Sequence, residues 1–361
     1  MAVPLSPTSA PVGSVVPRRD YLGCLQAYRG IAAMAVLLYH VSEQARIRLG
    51  HEPWFGLFHA GNLGVDFFFV LSGFIILYAN GRSIGSPLAA RKYFYRRLTR
   101  IYPVFLSVCL LKLMFIFAGG TVRAGKDGLG FILSSLLLWP LDRAPFLDVA
   151  WTLSFEMTFY FLFLFLIIYG AGLWRVVQAH ALAVVLLNLP WLPALTFPAS
   201  FIFSPFFLQF YLGCAACWLV KNWRWHQGAA LAFLLGGAAM FLLGYGFLSH
   251  LDVFGELALR SYFGLAFASV VVGSVALGAE FDRLIPRWLK ATGDASYSIY
   301  LMHGNLINLG IDYLTAHGRS AGPASSWILS ALAVSVLAGG YLYYLFVEKP
   351  LLNLCRKHSP Q

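Results

Sequence analysis

The sequence is poor in charged residues and has few acidic ones. Only 11% of its 361 residues are charged and 59% are hydrophobic, whereas soluble domains carry about 25% charged residues. Its mean hydropathy is +0.72. These values exclude an ordinary soluble domain and predict a polytopic α-helical membrane protein.

Cysteine is also scarce, and no signal peptide is evident. The five cysteines are Cys24, Cys109, Cys214, Cys217 and Cys355. They are scattered over apolar segments or predicted cytoplasmic ends, so a disulfide framework is not expected. Cys214 and Cys217 have the spacing of a redox or metal site, but no second ligand pair lies nearby in the sequence. We expect them to serve small-residue helix packing, and we expect no metal.

Long apolar runs are what the chain has in abundance. Ten of them are long enough to cross a bilayer, at 22–42, 61–80, 100–119, 150–170, 176–194, 204–221, 229–249, 259–279, 296–314 and 326–347. The shorter run 129–140 predicts a re-entrant or interfacial helix. The fold class is therefore all-α, a bundle of about ten membrane-spanning helices. We expect a disordered cytoplasmic tail over 1–20, a membrane domain over 21–350 and a short cytoplasmic tail over 351–361.

The net charge of +11 follows the predicted membrane sides. With the N-terminus inside, 18 of the 26 Lys and Arg residues fall in predicted cytoplasmic segments. This asymmetry predicts that both termini are cytoplasmic and that the number of spans is even. The basic residues therefore indicate a bilayer partner and not nucleic acid.

Arg29 and His40 stand eleven residues apart in one apolar segment. Eleven residues are three helical turns, which places both side chains on one face, about 16 Å apart. Ionisable residues inside a span are candidates for function. The alternative is that Arg29 is a positive-inside anchor and that His40 caps the outer end of the span.

A cationic cluster, Arg96-Arg-Leu-Thr-Arg-Ile-Tyr-Pro103, precedes the third span. Arg97 and Arg100 are three residues apart and can present two guanidinium groups to one phosphorylated ligand. A topogenic cluster is the alternative, but packing against Tyr102 and Pro103 at a predicted helix start favours ligand binding.

Two acidic residues lie in the predicted outer half of the membrane. Asp66 opens the second span and Glu156 opens the fourth, and unpaired carboxylates at such depth are unfavourable. Either could orient His40 if the imidazole acts as a general base. Glu43, one turn beyond His40, is a rival partner, and the sequence does not decide among the three.

Two polar motifs occur late in the chain. Ser296-Tyr-Ser-Ile-Tyr-Leu-Met-His303 places His303 near the middle of the ninth span, where it could bind a substrate or bridge helices. Glu348-Lys-Pro350 ends the tenth span, and we expect Glu348 to pair with a basic residue at the cytoplasmic edge.

Taken in order, these motifs resemble the acyltransferase-3 family of integral membrane acyltransferases. The resemblance covers residues 21 to 350 and rests on Arg29 with His40, Gly64-Val-Asp-Phe-Phe-Phe-Val-Leu-Ser-Gly-Phe74, Arg97-Leu-Thr-Arg-Ile-Tyr-Pro103, Trp151-Thr-Leu-Ser-Phe-Glu156, Ser296-Tyr-Ser-Ile-Tyr-Leu-Met-His303 and Glu348-Lys-Pro350. Each motif is short, but six in the same order are specific.

The resemblance implies a bacterial inner-membrane enzyme that transfers an acyl group, usually acetyl, from cytoplasmic acyl-coenzyme A to a hydroxyl of an extracytoplasmic glycan. Such acceptors are O-antigen of lipopolysaccharide, exopolysaccharide, capsule or a glycolipid. His40 would act as general base or as acyl carrier. The predicted site comprises the catalytic residues His40, Asp66 and Glu156, the donor-binding residues Arg29, Arg97, Arg100 and Tyr102, and the acceptor-binding residues His303, Tyr297, Trp151 and Ser72.

A transporter of a lipid-linked sugar or an anion is the main alternative, with Asp66, Glu156 and His303 as a proton relay. Many transporters carry inverted repeats, but the motifs of the first half have no evident counterpart in the second. A non-catalytic scaffold would leave the buried ionisable residues without a purpose. The acceptor, the acyl chain length and the oligomeric state are not specified by the sequence.

Overall fold

The computed structural model describes residues 23–118, 128–246, 255–317 and 323–358, and all regular elements within these ranges are helical. The main helices are α1 (Gly23–Leu49), α2 (Leu63–Asn80), α3 (Pro87–Phe117), α4 (Leu129–Leu136), α5 (Trp151–Tyr169), α6 (Trp174–Leu187), α7 (Ala199–Ile202), α8 (Phe206–Asn222), α9 (Gln227–Gly246), α10 (Gly255–Leu277), α11 (Ala279–Leu284), α12 (Arg287–Asp294), α13 (Ser296–Ala316), α14 (Pro323–Tyr343) and α15 (Lys349–Lys357). The predicted tail 1–20 lies outside the described residues.

Eight segments of the described chain are long and apolar enough to cross a membrane: Gly23–Leu49, His59–Ser83, Pro87–Phe117, Asp148–Tyr169, Ala199–Asn222, Gln227–Gly246, Gly255–Leu277 and Ser325–Lys357. The prediction of a multi-span helical membrane protein is thereby confirmed. The residues predicted as a re-entrant or interfacial helix contain α4, which is eight residues long.

Two of the ten predicted spans fall outside that set, so the count of ten stays a prediction. The run 176–194 corresponds to α6, whose 14 residues extend about 21 Å, short of a hydrocarbon core of about 30 Å. The run 296–314 corresponds to α13, which has 21 residues. This helix carries several serine, asparagine and histidine side chains, which lower its hydropathy.

The cationic cluster lies within α3, whereas the sequence had predicted it at a helix start. α3 begins at Pro87, where proline is tolerated because the first-turn amides need no partner, and it continues through Pro103 to Phe117. Arg97 and Arg100 therefore share one face of a continuous helix that extends beyond the apolar run.

α2 occupies the centre of the bundle and contacts α1, α8 and α10. Its contact with α8 is a backbone contact, because a Cβ atom on Gly213 would lie 2.0 Å from the carbonyl oxygen of Val70. Cys214 belongs to the same interface, with its Sγ 3.4 Å from the carbonyl oxygen of Gly73. The cysteine pair of α8 thus contributes to helix packing.

The helices that carry the six motifs surround a common centre. α1 contacts α2, α12, α13 and α14, and α3 contacts α5, α13 and α15. α9, by contrast, packs chiefly on α10 and leaves most of its surface exposed. The polar motifs therefore meet between α1, α2, α3, α5 and α13, although they are dispersed in the sequence.

Candidate active site

A narrow cavity of about 70 Å³ lies between α1, α2, α3, α5 and α13. The polar residues that line it are Arg29, Ser72, Arg97, Arg100, Thr152, Glu156, Tyr160, Ser296, Tyr297 and Tyr300. We call it the arginine cavity. It brings together three predicted donor-binding residues, the predicted acid Glu156, and Ser72 and Tyr297.

Arg29 is positioned by a close crossing of α1 and α12. A Cβ atom on Gly293 would lie 1.8 Å from the carbonyl oxygen of Gln26, so only glycine permits this approach. The crossing brings the start of α13 beside Arg29, whose Nε donates a hydrogen bond to Ser296 Oγ at 3.2 Å. The guanidinium of Arg29 is thus fixed at the wall of the arginine cavity.

Arg97 is held between two tyrosine rings. Its guanidinium carbon lies 5.5 Å from the ring centroid of Tyr93 and 5.3 Å from that of Tyr160, within the range of cation–π attraction. Its buried Nε has no hydrogen-bond partner among the described residues. Because unsatisfied buried donors are unfavourable, this nitrogen is available to a ligand.

Glu156 belongs to the arginine cavity. Ser72 Oγ donates a hydrogen bond to its Oε1 at 3.3 Å, and the Tyr160 hydroxyl donates another. Thr152, Glu156 and Tyr160 are four residues apart and share the cavity-facing side of α5. The structure therefore places Glu156 among the arginines and not beside His40, contrary to the predicted arrangement.

His40 and His303 meet in a second cavity, of about 190 Å³. Their ring centroids are 5.0 Å apart, and the other polar residues at the wall are Gln44, Asp148, Asn305 and Asn308. We call it the histidine cavity. Among the described residues, Asp148 is the carboxylate that lines it together with His40.

His303 has one unused ring nitrogen. Its side chain is 1% exposed, and its Nδ1 donates a hydrogen bond to the carbonyl oxygen of Tyr300. A carbonyl oxygen only accepts, so this contact assigns a proton to Nδ1, and the ring in its neutral form presents a lone pair at Nε2. Nε2 is buried and has no partner within the described part of the chain, so it is an acceptor available to a ligand hydroxyl.

The histidine cavity adjoins a lateral groove between α1, α3 and α13, with a volume of about 450 Å³. Gln44, Asp148, Asn305 and Asn308 line both spaces. Gln44, Asn305 and Asn308 make no side-chain hydrogen bond to any other described residue. Each amide can donate and accept, which suits a ligand with several hydroxyls.

Tyr300 and Thr152 separate the two cavities. Their hydroxyl oxygens lie 2.9 Å apart, and they lie 3.2 Å and 3.1 Å from the carbonyl oxygen of Val149. Tyr300 and Thr152 line the arginine cavity, whereas Val149 lines the histidine cavity. The Tyr300 ring also contacts His303, with 5.4 Å between centroids. Hydrogen bonds thus join the walls of the two cavities at this partition.

Asp66 does not lie beside His40, which corrects the predicted pairing. It is 1% exposed and accepts hydrogen bonds from Arg260 Nη1 at 2.8 and 2.9 Å and from Gln209 Nε2 at 3.0 Å. Neighbouring residues of a helix point about 100° apart, so Asp66 faces α8 and α10 while Val65 faces the arginine cavity. Arg260 is part of α10.

Tyr102 and Trp151 also lie away from the cavities to which they were assigned. Tyr102 follows Arg100 by two residues, on another side of α3, and its hydroxyl donates to the carbonyl oxygen of Leu137 at 3.0 Å. Trp151 lines a separate cavity with Arg143. Glu43 is paired with Arg46 at 2.9 Å.

The sequence motifs did not indicate the polar residues that line the cavity with His40, which are Gln44, Asp148, Asn305 and Asn308. Nor did they indicate the hydrogen-bonded pair of Thr152 and Tyr300 in the wall of the arginine cavity. A local signal existed for some of them. Gln44 follows His40 by one helical turn, and Asn305, Asn308 and Asp312 recur at three- and four-residue intervals along α13. The contribution of Asp148 has no such signal, because it comes from the short turn before α5.

Comparisons with known proteins identify a family and several relatives. The acyltransferase-3 family model, described as an acyltransferase domain, matches residues 22–345. Acyltransferase MdmB of Streptomyces mycarofaciens is 27% identical, over 95% of this chain and 95% of its own length. Exopolysaccharide production protein ExoZ of Rhizobium meliloti is 26% identical, over 88% of this chain and 95% of its own length. Nodulation protein 10 of Rhizobium leguminosarum bv. viciae is 26% identical, over 81% and 82%. No solved structure matches.

Proposed function

Because the chain belongs to the acyltransferase-3 family of membrane acyltransferases, we propose that it transfers an acyl group, in the first instance acetyl, from acyl-coenzyme A to a hydroxyl of a glycan or glycolipid. One observation carries this proposal: the Tyr300–Thr152 pair in the wall of a cationic cavity is hydrogen-bonded to Val149, which lines a cavity with two histidines. A charged donor and a polyhydroxyl acceptor can therefore approach one point from opposite sides.

The donor occupies the arginine side. Arg29, Arg97 and Arg100 hold the phosphates of coenzyme A, since guanidinium groups bind phosphate oxygens through paired, charge-assisted hydrogen bonds. The pantetheine arm extends through the arginine cavity towards Tyr300. The excess of basic residues at this end supports a cytoplasmic location for it, with both termini cytoplasmic and the chain in a bacterial inner membrane.

The acceptor occupies the histidine cavity and the lateral groove. The amides of Gln44, Asn305 and Asn308 bind its hydroxyls, and Nε2 of His303 accepts a hydrogen bond from one of them. A glycan acceptor is also suggested by the name of the relative ExoZ, an exopolysaccharide production protein. Tyr297 and Ser72, which line the arginine cavity, act on the donor side and not on the acceptor.

His40 performs the transfer in one of two ways. As a general base, its imidazole removes the proton from the acceptor hydroxyl while the oxygen attacks the thioester carbonyl; the tetrahedral intermediate then expels the thiolate, which takes the proton. As a nucleophile, the imidazole accepts the acyl group, coenzyme A leaves as the thiol, and the acceptor hydroxyl attacks the acyl-imidazole. Asp148, which lines the histidine cavity with His40, orients the ring in this proposal in place of Asp66 or Glu156. Labelled acyl-enzyme trapped without acceptor supports the second route.

The test uses purified protein in lipid nanodiscs with radiolabelled acetyl-coenzyme A. We expect His40→Ala to lower turnover about 10²- to 10⁴-fold, the contribution of a positioned base, while the Kd for the donor stays unchanged. His317→Ala, at an exposed histidine, is the matched control and retains activity. If the wild type neither binds nor consumes acyl-coenzyme A of any chain length, the proposal fails and the transporter alternative replaces it.

A further inference from the structure

Beyond the arginine cavity, α3 and α15 enclose a wider cavity of about 670 Å³. Four arginines line it: Arg96, Arg97 and Arg100 from α3, and Arg356 from α15. None of the described residues that line it is a carboxylate, and none of the four arginines forms an ion pair with another described residue. We call this cavity the basic mouth. Four cations around one space repel each other unless anions lie between them.

Arg356 reaches the basic mouth because α15 is tied to the bundle at both ends. The Tyr95 hydroxyl donates a hydrogen bond to the carbonyl oxygen of Cys355 at 2.9 Å, one residue before Arg356. At the start of the helix, buried Glu348 accepts a hydrogen bond from Ser298 Oγ. α15 is therefore part of the wall of the mouth, and Arg356 faces a space that α3 borders on its other side.

The basic mouth adjoins the arginine cavity, because Arg97 and Arg100 line both. An elongated anion that enters through the mouth consequently meets the outer pair Arg96 and Arg356 first. It then passes the shared pair Arg97 and Arg100 before it reaches Glu156 and Tyr300. The order of cations along this path can be compared with the order of phosphates along the donor.

Coenzyme A carries its phosphates in two places. The diphosphate joins the pantetheine arm to the ribose, and a separate phosphomonoester, with a charge of about −1.5 to −2, is attached at the ribose 3′ position. If the arm extends into the arginine cavity, the diphosphate lies at the shared pair. The ribose and its 3′-phosphate then remain in the mouth, where a second pair of guanidinium groups is available.

We propose that Arg96 and Arg356 form a subsite for the 3′-phosphate of the acyl-coenzyme A donor. This inference rests on the proposed function and adds a specificity to it: the protein distinguishes coenzyme A thioesters from their 3′-dephospho analogues. Arg96 and Arg356 are exposed, so they bind the phosphate at the water-facing end of the path. Their contribution is to donor affinity and not to the transfer step.

The experiment measures the Kd of radiolabelled acetyl-coenzyme A and of acetyl-3′-dephospho-coenzyme A for the full chain in lipid nanodiscs. For the wild type we expect the first donor to bind about tenfold more tightly or better, as one or two charge-assisted hydrogen bonds provide. In Arg356→Ala, and in Arg96→Ala, this ratio falls towards one because only the intact donor loses affinity. The Kd of the dephospho donor stays unchanged, which also shows that each variant is folded.

Lys357→Ala is the matched control. Lys357 adjoins Arg356 on α15 and carries the same charge, but it does not line the basic mouth, so its variant keeps the wild-type ratio. Equal binding of both donors by the wild type would overturn the subsite, and so would an equal weakening of both donors in Arg356→Ala. If the wild type binds neither donor, the acyl-coenzyme A assignment itself fails. That result differs from equal Kd values for the two donors, which would exclude only the subsite.

Discussion

The arginine cavity and the histidine cavity lie on either side of Tyr300, yet their walls have opposite chemistry. The first carries Arg29, Arg97 and Arg100 with one acid, Glu156. The second carries two imidazoles and three carboxamides around Asp148. Guanidinium groups suit phosphates and amides suit hydroxyls. Under the proposed function, this difference separates donor recognition from acceptor recognition, and acyl transfer takes place at the partition.

The largest expected effect concerns Asp66, which belongs to neither cavity. Asp66→Ala removes the buried counter-charge of Arg260, whose side chain is 17% exposed and which keeps its ion pair with Glu256. We expect the free energy of unfolding to fall by about 3 kcal/mol, the lower end of the range for a broken buried pair. The double variant Asp66→Leu with Arg260→Met should recover most of that loss and retain acyl transfer. Thermal unfolding in detergent measures the stability of both variants. A stable Asp66→Ala protein without activity would return Asp66 to the catalytic group.

A second prediction tests whether the arginine cavity serves the donor alone. Arg100→Ala removes charge-assisted hydrogen bonds worth about 1.5–3 kcal/mol, so the Kd of acetyl-coenzyme A should rise roughly 10- to 150-fold. The acceptor KM should not change. Arg91→Ala, an exposed position of the same helix outside the cavity, is the control. A changed acceptor KM at constant donor Kd would break the division between the cavities.

The corresponding test of the histidine cavity is smaller in magnitude. Asn308→Ala removes one neutral hydrogen-bonding group worth about 1 kcal/mol, so the acceptor KM should rise about fivefold while the donor Kd stays constant. The acceptor titrated is a glycolipid extract of the host membrane. Asn353→Ala, at an exposed site on α15, should behave as the wild type. An altered donor Kd in Asn308→Ala would contradict the assignment.

The smallest expected effect is at the partition itself. Tyr300→Phe keeps the ring against His303 but removes the hydroxyl that bonds to Thr152 and Val149. Loss of about 0.5–1 kcal/mol should open the layer more often and raise acceptor-independent hydrolysis of acetyl-coenzyme A about two- to fivefold. Tyr313→Phe, exposed on the same helix, controls for the substitution. Unchanged hydrolysis would show that the hydroxyl pair does not close the path.

Local spacing predicted positions within helices well and partners between helices poorly. The three turns between Arg29 and His40 correctly placed both side chains on the inner face of α1, and the i, i+3 spacing correctly paired Arg97 with Arg100. One residue of rotation, about 100°, then decided that Val65 faces a cavity and Asp66 does not. The partner of Asp66 lies 194 residues away, and no periodicity of α2 contains that information.

The predictions for the acidic residues Asp66 and Glu156 failed for the same reason. Asp66 and Glu156 were placed near His40 because each opens an outer half-span, which fixes depth along the membrane normal but not direction around the helix axis. The acid found in the cavity of His40, Asp148, precedes α5 in a short turn. Helical patterns do not report such positions, so that residue emerged only from the assembled bundle.

The lateral groove has a consequence for how the acceptor is delivered. Its rim includes Leu111, Phe115 and Leu309, which expose 44%, 49% and 44% of their surfaces and which face lipid tails when the bundle is in a bilayer. An acceptor with a lipid anchor would enter there by diffusion in the plane of the membrane. The occupancy of the groove would then depend on the number of acceptor molecules per unit area of bilayer, and diluting the vesicles at constant lipid composition would leave the rate per enzyme unchanged.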